Sequence, residues 1–144
     1  MRFKVEAICL SRQKGTQKTP VEEALLVANH GLEGDAHAGD WPRQVSFLAA
    51  EDIEEMKKKG LELQPGAFGE NIVTRGIDWG QVVCGGKITI GEAELEITQL
   101  GKECHTPCAI YHQVGYCIMP ERGVFARVKK GGRIRVGDYG YYHL

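Results

Sequence analysis

The sequence predicts a mainly β fold with a few short helices, its strands closed or nearly closed into a barrel. Three observations lead there. About seven short segments alternate apolar and polar residues at the period of a strand. The 19 glycines among 144 residues exceed average usage and separate those segments, as in strand-and-turn architectures. Lys87-Ile-Thr-Ile and Ala93-Glu-Leu-Glu-Ile-Thr-Gln, joined by Gly91-Glu92, read as a hairpin with a type II′ turn. Closing such strands into a barrel removes exposed sheet edges. A chain of 144 residues fits one domain, residues 1–144, and is long enough to bury a core.

The remaining elements follow in order. Residues 4–11 form a first strand with apolar residues on both faces, so a central place in the sheet is expected. Residues 12–19 are polar and basic and read as a loop, either a solvated connector or a ligand-binding loop. Residues 21–27 suit a strand or a short helix. Residues 29–40 are dense in glycine and hold Asp35, His37 and Asp40, a spacing that suits a metal or plain turn chemistry. Residues 44–48 read as a strand and 49–59 as a helix. Its acids come early, its lysines late, and Gly60 follows, which complements the helix dipole and supplies a C-cap. Ile53 and Met56 give it a narrow buried face. The turn Pro65-Gly-Ala-Phe-Gly-Glu-Asn leads into a strand over 71–74. Residues 120–128 read as a short helix, and Arg133-Ile-Arg-Val-Gly-Asp repeats the strand and Gly-acid turn of residues 87–92.

Composition narrows the function. A net charge of -1 gives no electrostatic attraction to nucleic acid or membrane. No apolar run reaches membrane-spanning length, and the alternating N-terminus lacks the apolar stretch of a signal peptide. Five cysteines, an odd number, without a secretory signal point to the reducing cytoplasm. There, thiols are reactive, metal-bound or simply buried. Cys9, on a strand, reads as core, while Cys84 and Cys117 have little informative context.

Three of the five cysteines lie between Gly101 and Cys117. Thr106-Pro107-Cys108 reads as a helix start, with threonine as N-cap and proline at the first helical position. Cys108 then falls where backbone N–H groups and the dipole favour an anion, near Lys102 and His105 in sequence. A thiolate-prone, reactive cysteine follows; the competing reading is a buried structural one. Cys104, Cys108 and His112 recur every four residues and suit zinc, although Pro107 bars one regular helix from carrying all three.

Gly31-Leu-Glu-Gly-Asp-Ala-His, Gln44-Val-Ser-Phe-Leu, Pro65-Gly-Ala-Phe-Gly-Glu-Asn, and Ile97-Thr-Gln followed by Pro107-Cys108 resemble, in order, the signature segments of the MOSC domain. This is the family named for the C-terminal part of molybdenum cofactor sulfurase. With the closing Ile134-Arg-Val-Gly-Asp the resemblance runs from about residue 5 to residue 138. It implies a distorted β-barrel with a few helices, and a cysteine at the place of Cys108 that ligates molybdenum or carries persulfide sulfur. The implied ligand is the molybdenum cofactor (molybdopterin). Arg12, Lys14, Lys18, Arg43 and Lys102 are its candidate cations, and Asp35, His37, Asn71 and Gln99 candidates for the pterin's hydrogen-bonding edge. Amides of the turns at 31–34 and 65–70 add donors. Pyridoxal phosphate enters only through a separate cysteine desulfurase, which is one expected partner; molybdopterin- or molybdoenzyme-biosynthesis proteins are others.

The chain departs from the commoner family pattern, which has an arginine shortly before the Pro-Cys pair. Here Lys102-Glu-Cys-His-Thr adds Cys104 and His105. Cys104 is either a second thiol that resolves a persulfide on Cys108 or an incidental one. Three functions remain open: a molybdenum-cofactor and sulfur carrier, a molybdenum-dependent reductase of N-hydroxylated compounds with a partner electron donor, and a zinc-binding module.

Overall fold

In a computed structural model of the chain, residues 1–101 and 118–144 are described. In chain order the strands are β1 (Arg2–Leu10), β2 (Thr19–Val21), β3 (Glu23–Val27), β4 (Gly31–Leu32), β5 (Val45–Ala49), β6 (Ile72–Arg75), β7 (Lys87–Ile90), β8 (Ala93–Leu100), β9 (Val124–Lys130), β10 (Gly132–Arg135) and β11 (Tyr139–His143). Among the described residues the α-helices are α1 (Ala50–Lys58) and α2 (Met119–Arg122). Seven strands close a barrel in the order β1-β11-β7-β8-β9-β5-β6 and back to β1. The free length of β1 beyond β11 pairs with β2, so β1 is central, as expected. A second sheet, β10-β3-β4, packs beside the barrel. Among the described residues every ladder is antiparallel except β5–β6, and the parallel pair needs the crossover that α1 provides.

Alternation drives the packing. Phe3, Val5, Phe47, Ile72, Ile88, Leu95, Ile97 and Val128 fill the barrel. Side chains on the other face of the same strands, Cys9, Leu48, Val73 and Phe125, meet Ile53 and Met56 of α1 in a second core. All of β5 is buried because it serves both cores. Ile53 and Met56 contribute about 1.5–3 kcal/mol each by burial. The helix has no side-chain N-cap, but its early acids, late lysines and Gly60 at φ +93 match the expected dipole and C-terminal pattern.

The hairpin is as expected. Gly91 has φ +57 while Glu92 does not enter the left-handed region, which is the type II′ arrangement. Ala93, Leu95 and Ile97 point inward. One expectation needs correction. The helix read over 120–128 stops at Arg122, and Gly123 turns to extended backbone. Val124, Phe125, Ala126 and Val128 then pair as β9 with both β5 and β8. Two ladders and double-sided burial outweigh the helical reading of Pro120-Glu-Arg. The last strand, β11, unmarked by its Tyr-Gly-Tyr-Tyr-His sequence, closes the barrel between β1 and β7. Residues 21–27 resolve as strand rather than helix.

Candidate functional site

The Pro65–Asn71 turn and the loop after β1 are held together by main chain. Lys18 N–H donates to the Gly66 carbonyl at 2.9 Å. Gly66 sits at φ +92, and a Cβ there would lie 2.1 Å from the Lys18 carbonyl oxygen, so glycine is required. Both Glu70 carboxylate oxygens accept N–H bonds from the same turn, from Gly66 at 2.9 Å and Phe68 at 3.0 Å. Burial raises the Glu70 pKa, and these backbone N–H groups offset part of the rise.

The Lys18 side chain is fully enclosed, although Arg12, Gln13, Lys14, Gln17 and Thr19 of the same loop are exposed, as a solvated loop would be. Its Nζ donates to Asp35 Oδ1 at 2.7 Å and Ser11 Oγ at 3.0 Å, and lies 3.0 Å from His37 Nδ1. Asp35 Oδ1 also accepts from Ser11 N–H, and Oδ2 from His37 N–H and from Asn71 Nδ2. Burial pushes the Asp35 pKa up, but hydrogen bonding and charge from Lys18, with the other donors, outweigh it and leave it below its ordinary value. Asn71 completes the frame. Its Oδ1 accepts from Ser46 N–H at 2.9 Å and Ser46 Oγ at 3.2 Å, and its Nδ2 donates to the Cys9 carbonyl at 3.1 Å. One side chain thus ties β1, β5 and the Asp35 loop together.

A second group surrounds Trp41. Its Nε1 donates to the His37 carbonyl at 2.6 Å, and its ring lies nearly parallel to the His37 imidazole, centroids 6.3 Å apart. Lys14 Nζ stands 5.1 Å and the Arg43 guanidinium 4.8 Å from the Trp41 ring centroid; Arg43 also reaches within 5.8 Å of Phe125. Two cations against one indole make a positively charged aromatic surface. Trp41, Pro42, Arg43 and Gln99 line an open recess of about 480 Å³.

A β-bulge sets this arrangement. β8 shifts register against β9 between Ile97 and Gln99, leaving Thr98 as the extra residue. Thr98 Oγ1 lies 3.2 Å from the Phe125 carbonyl oxygen and also meets the Pro42 carbonyl, which anchors the Trp41 loop on the barrel. Gln99 is re-aimed and donates to the Gly101 carbonyl at 2.8 Å. Gly101 has φ +70, and a Cβ would lie 2.4 Å from the Pro120 carbonyl oxygen.

The structure therefore sorts the expected site residues into groups. Lys14, His37, Arg43 and Gln99 gather around Trp41. Lys18, Asp35 and Asn71 form the buried frame behind His37. Arg12 is exposed on the loop that carries Lys14. Lys102, Cys104 and Cys108 lie outside the described residues, as do His105, His112, Cys117 and the helix start read at Thr106-Pro107. Asp35, His37 and Asp40 do not converge on a metal: Asp35 faces Lys18, and Asp40 pairs with Arg127. Among the described residues no group of three His, Cys, Asp or Glu could hold a metal ion.

Sequence reading missed Trp41, Ser46 and Thr98. A signal for Trp41 existed, a large aromatic between Asp40 and Pro42 where no strand pattern would bury it. Cys9 is core as read, its thiol pushed up to about 12 by burial and by nearby Glu70, so it carries no thiolate at neutral pH. A larger cleft of about 610 Å³ is lined by Glu51, Asp52, Asp78, Glu121 and Arg122. Burial raises the Asp52 pKa, and the excess of carboxylates makes this cleft the wrong sign for a phosphate.

The MOSC domain profile matches residues 34–139. The chain belongs to the MOSC domain family. That family is linked to molybdenum-cofactor-related function. The profile begins within the Asp35 loop, whereas likeness of fold extends over the whole MOSC chain. YuaD from Bacillus subtilis is similar with a TM-score of 0.81 at 20% identity, covering 99% of this chain and 96% of that one. YiiM from Escherichia coli gives 0.73 at 21% identity over 100% of this chain and 70% of that one. YiiM from Geobacillus stearothermophilus gives 0.74 at 20% identity, covering 99% and 75%. At these identities the likeness speaks for the fold alone. No curated protein matches significantly. Among the described residues no helix is long and apolar enough to cross a membrane.

Proposed function

We propose that this MOSC domain binds the molybdenum cofactor at the Trp41 recess and uses Cys108 as a molybdenum ligand or persulfide carrier. The convergence of Lys14, Arg43 and Gln99 on Trp41 carries the reading. This donor set fits a planar heterocycle bearing a phosphate. Lys14 and Arg43, with Arg12 on the same loop, would hold the phosphate by charge-assisted bonds. Trp41 supplies an aromatic face, and Gln99 and His37 supply polar groups for the pterin edge. Lys18, Asp35 and Asn71 spend their hydrogen bonds on one another and on main chain. Their part is to hold the wall rather than touch the ligand. When bound, the cofactor supplies molybdenum for redox and sulfur chemistry.

In this reading Cys104 either resolves the Cys108 persulfide or stands by, and a desulfurase partner delivers the sulfur. The deciding experiment is elemental and pterin analysis of the protein purified from a host with intact molybdenum-cofactor synthesis. Molybdenum and pterin in stoichiometric amounts are expected, with a loss of at least tenfold in Trp41→Ala and Arg43→Glu. Stoichiometric zinc without pterin would refute the proposal. Incubation with a desulfurase and cysteine should give a sulfur adduct by intact mass that vanishes in Cys108→Ala. Reduction of a benzamidoxime by the loaded protein with a supplied electron donor would assign the reductase role instead of the carrier.

A further inference from the structure

We infer that Lys18 is a positioning residue that fixes His37 as a neutral imidazole protonated on Nε2, making this histidine a hydrogen-bond donor rather than a metal ligand. The contact that requires it is Lys18 Nζ to His37 Nδ1 at 3.0 Å. An ammonium can only donate, so Nδ1 must supply its lone pair and the ring proton must sit on Nε2. The ammonium itself is kept charged by Asp35 Oδ1 at 2.7 Å, in a pair with no solvent exposure of either side chain. Protonating Nδ1 would set two cations 3.0 Å apart and break that bond.

The segment that carries the ring is itself held in place. The His37 main-chain N–H is held by Asp35 Oδ2, its carbonyl by Trp41 Nε1, and its ring lies against the Trp41 indole. The groups facing His37 among the described residues are therefore one cation, one carboxylate and one indole. A metal at Nδ1 would have to displace the ammonium. A metal at Nε2 would force the proton onto Nδ1, against Lys18. An Nε2–H donor in turn calls for a partner atom with a lone pair.

Long-range proton–nitrogen NMR on full-length, cofactor-free protein with labelled histidines tests the inference. His37 is assigned among the five histidines by its loss in His37→Gln. At pH 7, a pyridine-type Nδ1 and a pyrrole-type Nε2 are expected, unchanged on adding zinc ions. Protonated Nδ1, as the neutral Nδ1–H tautomer or as imidazolium, would overturn the inference, as would conversion of Nε2 to a zinc-bound nitrogen. Because Lys18→Met alone strands the buried Asp35 charge, the cause is tested in Lys18→Met/Asp35→Asn. Nδ1 protonation should become detectable there as the pH is lowered to 6. A spectrum identical to wild type would refute the role of Lys18, and the wild-type spectrum settles the tautomer even if the variant fails to fold. A failed cofactor-binding test leaves these spectra unaffected.

Discussion

Asn71→Ala is the sharpest test of the buried frame. The substitution removes the acceptor of Ser46 N–H and the donor to the Cys9 carbonyl, both buried. The Cys9 carbonyl is poorly placed to find another donor, because its partner across the ladder is Pro20, which has no N–H. Asp35 also loses one of its donors but keeps Lys18, Ser11 and His37. Two buried groups left unpaired cost about 1–3 kcal/mol each, so the variant should lose about 4 kcal/mol. With a urea m-value of about 2 kcal/mol/M, the unfolding midpoint falls by roughly 2 M. A fall of less than about 0.5 M would show that the network is not structural. Retained stability with loss of bound pterin would return Asn71 to the ligand-binding set.

Asn71→Asp sharpens the same experiment. It keeps the Oδ1 acceptor but sets a carboxylate oxygen 3.1 Å from Asp35 Oδ2 in place of a donor. One of the two carboxyls should then keep its proton in the folded state. The folded form binds more protons than the unfolded one, so this variant gains stability as pH falls from 7 to 5.

Three further outcomes are expected. In the wild type, Asp35 has a lowered pKa, so its contribution is present above its ordinary value of 3.8 and is lost as pH falls through the lower folded value. Lys18→Met strands the Asp35 charge and raises its pKa, so thermal melts from pH 7 to 3 should show the variant's deficit against wild type shrinking as pH falls, and a deficit constant with pH would refute the pairing. Cys84 is exposed and Cys9 buried, so alkylation of native protein followed by peptide mapping should label Cys84 and spare Cys9 until the chain unfolds. Gly85→Ala, at φ +90 with open space around it, should cost about 1–2 kcal/mol for the left-handed backbone alone. Gly66→Ala should cost at least about 2 kcal/mol more, because its Cβ meets the Lys18 carbonyl; equal losses by chemical denaturation would refute that contact.

Local pattern was enough for β1, the hairpin of β7 and β8, and α1, since each signal lies within a dozen residues. Period-two alternation, a Gly-X turn and a dipole-matched helix are short-range physics. The same level of reading singled out Lys14, His37, Arg43 and Gln99 through family resemblance, and Cys9 as core. It failed at 120–128 and at β11. Val-Phe-Ala-Arg-Val becomes a strand because β5 and β8 flank it, and Tyr-Gly-Tyr-Tyr-His pairs because the barrel needs a seam between β1 and β7.

The division at the site has the same cause. Charge type and glycine content, which mark loops as able to meet a ligand, are properties of the chain. Which cations face outward is a property of partners far away in sequence. Lys14 and Lys18 lie on one loop, yet Lys14 reaches the Trp41 ring while Asp35 and a main-chain bond to Gly66 draw Lys18 inside. The cost of desolvating an ammonium is offset only where a buried carboxylate awaits it, and no window of sequence around Lys18 contains that carboxylate.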